Sequence, residues 1–138
     1  MSSKIGFVCF GEVNTPYERL QSLHDEALQI METIKKSTTS EQSMPLDPAI
    51  IDAGIVIDDP AYKSAEDAIE KLPRDMQCLV LCVVGWIPTH AVIRLTDVYR
   101  HIPMLLWGYR GWKENGKIIT TAPQAGTTAI RPALEAMD

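Results

Sequence analysis

The sequence lacks any apolar run near the roughly 20 residues that a transmembrane helix needs, so no membrane partner is expected. The stretch Cys78 to Val84 is unbroken but short, and it ends at Gly85-Trp86. The opening MSSKIGFVCF has no apolar core followed by a cleavage site, so no secretory leader is expected. Positive charge is in deficit. Thirteen basic against 18 acidic residues give a formal net charge of −5, which argues against a nucleic acid or an anionic surface held by charge. Cysteine is scarce and odd in number: Cys9, Cys78 and Cys82 all lie in strand-like apolar runs. That pattern predicts reduced core thiols in a cytoplasmic protein rather than a disulfide framework. On one strand, Cys78 and Cys82 project to the same face about 13 Å apart, a poor metal pair. Histidine is equally sparse, and His90 and His101, about 16 Å apart along a helix, cannot share a metal. There is no paired-carboxylate spacing and no Ser-His-Asp arrangement. The expected content is no catalytic residue, no metal ligand and no cofactor in this chain.

What is present is centred on MQCLVLCVVGWIPTHAVIRLTDVYRHIPMLLWGYR, from Met76 to Arg110. The run Cys78–Val84 has no polar alternation and fits a strand buried on both faces of a parallel sheet. After Ile87-Pro88, Thr89 is placed to cap a helix over His90 to His101, with apolar residues Ala91, Val92, Leu95, Val98, Tyr99 and Ile102 near helical spacing. Pro103 stops that helix, and Met104 to Trp107 reads as the next strand. Both strands end in a tryptophan beside a glycine, so both are expected to carry an indole to the carboxyl edge, where open α/β sheets bind ligands.

The rest of the chain extends this pattern. Lys4 to Phe10 reads as a first strand, with Pro16 at the start of a long helix whose buried stripe is Leu20, Leu23, Ala27, Ile30, Met31 and Ile34. Lys36 to Pro48, rich in serine and threonine, reads as a loop and as the internal segment of fastest hydrogen exchange. A weaker edge strand is expected within Ala49 to Ile57, because Asp52 and Gly54 disfavour a central position. Ser64 with Asp67 suggests a capping box for a short helix ending near Leu72. Lys117 to Thr121 suggests a hairpin arm, and Thr127 or Thr128 a cap for a last helix reaching Met137, with Pro132 tolerated in a first turn. Strands alternating with helices predict a single α/β domain over residues 1–138. Its expected form is an open, doubly wound, flavodoxin-like parallel sheet of order 2-1-3-4 with helices on both faces. A full domain of that type has five strands, so the ending reads as cut.

The familiar sites on such folds do not match. Gly11-Glu12-Val13-Asn14-Thr15-Pro16 places a carboxylate where a phosphate would sit, and Pro16 removes an amide donor. There is no G-x-G-x-x-G, and the third strand ends in Trp86 rather than an aspartate.

KIGF opening a first strand, the long helix, V-G-W ending the third strand and P-M-L-L-W-G in the fourth resemble the N-terminal domain of the L-fucose/L-arabinose isomerase family. The likeness is diffuse, spans nearly the whole chain, and is most specific at V-G-W and P-M-L-L-W-G. It implies the N-terminal part of a longer aldose–ketose isomerase subunit in a homo-oligomer. Manganese would there be held by a glutamate, an aspartate and a histidine of later domains, and polarise the sugar during proton transfer between C1 and C2. By the resemblance, this domain contributes recognition: its edge closes over the active site of a neighbouring subunit, and Trp86 packs on the sugar. Substrate-binding residues expected at that edge are Trp86, Thr89, His90, Glu12 and Asn14. Family members acting on fucose carry arginines in the first loop, whereas this chain has Glu12, Val13, Asn14 and Thr15, with Arg19 already in the helix. The alternative is a stand-alone small-molecule binding or interaction module of the same fold, without catalysis. The fold implied by either reading is the same, and the isolated chain is expected to be inactive as an isomerase.

Overall fold

The structure, a computed structural model, describes residues 3–41 and 47–137, the side chains of residues 38–41 excepted. Four strands, β1 (Lys4–Phe10), β2 (Ala49–Val56), β3 (Cys78–Val83) and β4 (Met104–Gly108), form one parallel sheet in the order β2-β1-β3-β4. Helix α1 (Tyr17–Glu41) lies on one face, and α2 (Lys63–Lys71), α3 (Thr89–Thr96) and α4 (Pro123–Ala136) lie on the other. The chain is therefore α/β with a flavodoxin-like, doubly wound sheet. The reason is legible in β1 and β3. Phe7, Cys9, Val80 and Cys82 pack under Leu20, Leu23 and Ala27 of α1, while Val8, Phe10, Leu79, Leu81 and Val83 pack under Ala65, Ala68, Ala91, Leu95 and Ile130. Side chains alternate along a strand, so a strand covered on both faces must be apolar throughout. Cys9 stands opposite Cys82 in register, and both are buried free thiols. Burial pushes the Cys9 thiol well above its ordinary value, with Cys82 beside it adding to the effect, so it is an inert core group.

Several local expectations are corrected. Helix α1 continues through Lys36 to Glu41, where a loop was expected. The segment contains no glycine or proline, and the helix penalty of serine and threonine is only a few tenths of a kcal/mol each. Just before and within this stretch two hydroxyls turn back onto the helix, Thr33 to the Gln29 carbonyl and Ser37 to the Ile34 carbonyl, both at 2.9 Å. Lys35 pairs with Asp47 at 3.2 Å. Of the rest of that expected loop, Asp47 and Pro48 carry no regular structure, and residues 42–46 lie outside the described residues.

The helix caps also differ. Thr89 is the first residue of α3, with Pro88 at the cap position. Ser64 lies inside α2 and is held by Asp59, which accepts from the Ser64 amide at 2.9 Å and hydroxyl at 2.7 Å, while Asp67 pairs with Lys63. Helix α4 starts at Pro123, after Ala122 in the left-handed region, so Thr127 and Thr128 are interior and donate to the carbonyls four residues back. Pro132 then falls inside the helix instead of its first turn. Helix α3 ends at Thr96 and is followed by a single 3-10 turn, Asp97–Tyr99. A short antiparallel hairpin, β5 (Trp112–Glu114) and β6 (Lys117–Ile119), follows β4. Among the described residues no helix is long and apolar enough to cross a membrane.

Candidate functional site at the carboxyl edge

Four connections meet at the carboxyl edge of the sheet. The turn after β1 is anchored at three points: Gly11 N–H donates to the Val56 carbonyl, Thr15 N–H to the Glu12 carbonyl, and Val13 N–H to the Asp58 carboxylate at 2.9 Å. The turn after β3 lies directly against it, since a methyl group at Gly85 would stand 3.6 Å from the Glu12 nitrogen. The chain leaving the hairpin closes over both. Trp86 N–H donates to the Thr121 carbonyl at 2.7 Å, and the Thr121 hydroxyl donates to the Val84 carbonyl. Glycine at 126 eases this packing, because a methyl group there would meet the Gly85 carbonyl at 3.3 Å.

The expected site residues all lie along this edge, in two groups. Glu12 accepts a hydrogen bond from the Asn14 amide at 3.1 Å, and Asn14 is exposed. Trp86 is 40% exposed, which excludes a core-filling role for its ring. Thr89 is half-buried at the head of α3, and His90 is exposed, its ring set edge-on to Tyr62 at 5.8 Å. Tyr62 and its neighbour Ala61 are both left-handed, at φ 54° and 56°. Two consecutive non-glycine residues in that region are a strained connection of the kind found at binding sites. Tyr62 escaped the sequence reading because nothing in DDPAY marks such a conformation.

The structure adds a recess beside the first turn of α1. It has a volume of about 490 Å³ and is lined by Asn14, Thr15, Arg19, Ser22, Trp112 and Thr121, among others. Its aromatic wall is Trp112. The Arg19 guanidinium lies 4.5 Å from the Trp112 ring centre, and Glu114 holds both groups, accepting from the Trp112 indole at 3.0 Å and pairing with Arg19 at 3.4 Å. Arginine is thus present at this edge from the helix rather than from the loop. Trp107, by contrast, does not reach the edge. It stays half-buried on the α1 face of the sheet, 5.7 Å from the Tyr109 ring. Tyr109 is buried, and burial together with the Glu26 carboxylate pushes its phenol well above the ordinary value, so it remains a neutral donor.

Among the described residues no group of three or more His, Cys, Asp or Glu side chains stands together to hold a metal ion. Comparison with known protein families, with curated proteins and with solved structures finds no match to this chain.

Proposed function

We propose that this domain is a sugar-recognition module of an aldose–ketose isomerase resembling the L-fucose/L-arabinose isomerases. In that enzyme the catalytic metal centre and acid–base groups are carried elsewhere. The observation that supports the reading best is the recess walled by the Trp112 indole and rimmed by the Asn14 amide, the Thr15 and Ser22 hydroxyls and the Arg19 guanidinium. A sugar offers an apolar C–H face and a ring of hydroxyls, and this combination of an aromatic wall with convergent donors and acceptors matches both. Trp86 is a second indole on the adjoining turn, with Thr89 and His90 offering hydrogen bonds beside it. In this reading the domain orients the sugar and excludes water from one of its faces, and proton transfer takes place against groups of the assembled enzyme.

The test is titration of the chain with L-fucose and with L-arabinose, read by tryptophan fluorescence and amide NMR shifts. Saturable shifts are expected at the side chains of Trp112, Trp86, Asn14 and Arg19, with weak affinity because one domain supplies only part of the enclosure. Trp112→Ala is expected to weaken binding about tenfold, equivalent to about 1.4 kcal/mol. No saturable shift with either aldose would defeat the proposal. Trp86→Ala is expected to lower unfolding stability by less than about 1.5 kcal/mol, because an exposed ring has little burial to lose. A loss on the scale of a core tryptophan, in urea unfolding, would show that the ring supports the fold instead.

A further inference from the structure

Trp112 and Glu114 stand two residues apart on β5, so their side chains leave the same face of the hairpin. The two-residue turn at Asn115-Gly116, with φ 49° and 74°, and the cross-strand pairs Trp112–Ile119 and Glu114–Lys117 fix that arrangement. The face meets α1 at Arg19. There the guanidinium carbon lies 4.5 Å from the Trp112 ring centre. Glu114 Oε2 accepts both from the Trp112 indole at 3.0 Å and from Arg19 at 3.4 Å. One carboxylate oxygen thus ties the ring to the cation that lies over it.

Arg19 covers the ring face that a sugar would need. Trp112 borders two hollows, the recess beside the first turn of α1 and another between α1 and β4, and Arg19 lines only the recess. The covered face is therefore the one on the recess side. Carbon atoms in contact stand about 3.5–4.0 Å apart, so a guanidinium 4.5 Å from the ring centre leaves no layer for a sugar between the two. The hold on Arg19 is nevertheless light. Its ion pair runs from one nitrogen to one oxygen, and both side chains are more than a third exposed. In that setting an ion pair and a cation–π contact are each small effects.

We propose that Arg19 is a gate on the recess: its guanidinium occupies the stacking face of Trp112, and a sugar binds there by displacing it. Glu114 is the positioning residue that keeps the gate shut. The inference rests on the sugar reading for its ligand and adds to it a cost of opening. The exit of the hairpin is pinned to the turn after β3, through Trp86 N–H to the Thr121 carbonyl and the Thr121 hydroxyl to the Val84 carbonyl. The part free to move is the Arg19 side chain, which turns away from the ring into solvent. A protein whose competent state is only a fraction of its population binds with an affinity reduced by that fraction. Two light contacts acting together set the open fraction at about one in ten.

The experiment compares the wild type with Arg19→Ala and Glu114→Gln, by titration with L-fucose and L-arabinose and by acrylamide quenching of tryptophan fluorescence without sugar. Arg19→Ala bares the ring and is expected to bind the aldose about tenfold more tightly. Glu114→Gln keeps the cation but loosens it, and is expected to bind about threefold more tightly. Arg19→Ala should also be quenched faster, because acrylamide reaches the bared indole. Unchanged circular dichroism in both variants shows that the fold is kept. Binding by Arg19→Ala that is unchanged or weaker than that of the wild type would overturn the gate and leave the sugar reading standing. Unchanged quenching would overturn the gate as well. Faster quenching with no binding of either aldose to any of the three proteins would defeat the sugar reading and confirm the cover, the part of the proposal that needs no ligand.

Discussion

Tyr99→Ala is expected to lower the unfolding free energy by about 3–5 kcal/mol, the range for removing a large buried ring. Tyr99 sits in the 3-10 turn that ends the α3 segment and is 1% exposed, packed in the core that α2 and α3 share with the sheet. Its hydroxyl donates to the carbonyls of Ile69 at 3.1 Å and Leu72 at 2.9 Å, two groups at the end of α2 with no helical donor ahead of them. Burial raises the phenol above its ordinary value, so the donor is neutral across the stable pH range. The alanine variant both opens a cavity and strips these carbonyls of their partner. Tyr99→Phe keeps the ring and loses only the hydrogen bonds, for an expected cost of about 1–2 kcal/mol. Urea unfolding of the two variants separates the contributions. Equal losses would assign the whole effect to the hydroxyl, and an alanine loss under about 1.5 kcal/mol would show that the site collapses to fill the space.

Tyr99 also shows what the sequence reveals and what it hides. As one apolar position at helical spacing it was legible, and so were the runs Lys4–Phe10 and Cys78–Val84, because a two-sided sheet demands unbroken hydrophobicity. The order β2-β1-β3-β4 followed from alternation and from the weakness that Asp52 and Gly54 bring to β2. Its partners on α2 were not legible, because they are backbone carbonyls reached through tertiary packing.

The helix starts failed for a related reason. Thr89, Ser64 and Thr127 are all good capping types, but the cap positions went to Pro88, Tyr62 and Ala122. Asp59, brought up by the turn after β2, took the Ser64 amide instead. Capping propensity is worth about 1 kcal/mol, and the path of the chain across the sheet edge outweighed it. At the candidate site Trp86 could be placed from the strand that ends just before it. The Arg19–Trp112–Glu114 cluster could not, since it exists only because the hairpin folds back over the first turn of α1.

The remaining large effect is one of pH. His24 is 3% exposed, and each of its ring nitrogens faces a carboxylate oxygen: Nδ1 stands 2.9 Å from Asp25 and Nε2 stands 2.8 Å from Asp52. Only the doubly protonated ring donates to both. The Asp52 hydrogen bond raises the His24 value against the opposing effect of burial, and the Asp25 bond adds to it. Asp25 is held below its ordinary value first by His24 and then by Gln21. For Asp52 burial pulls upward, but the His24 bond, the Gly54 amide and the charges of His24 and Lys71 together bring it below the ordinary range. The Phe7 ring, 5.9 Å away, completes the enclosure.

A raised histidine binds its proton more tightly in the folded chain, so its contribution is complete below the ordinary value of about 6.5. It is lost as pH rises through the folded value. The lowered aspartates contribute above about 3.9, and theirs is lost as pH falls. The two contributions overlap between about pH 4 and 6.5, and stability from this cluster is expected to be greatest there. His24→Ala is expected to cost about 2–3 kcal/mol at pH 6, because it opens space under α1 where the buried imidazole stood and removes the cation facing the exposed Asp52. The cost is expected to shrink as pH rises past the folded value of His24. Urea midpoints measured from pH 5 to 9 on both proteins check this. A wild type that gains stability from pH 6 to 9, or a variant with the same slope as the wild type, would mean that His24 does not carry the proton between the two carboxylates.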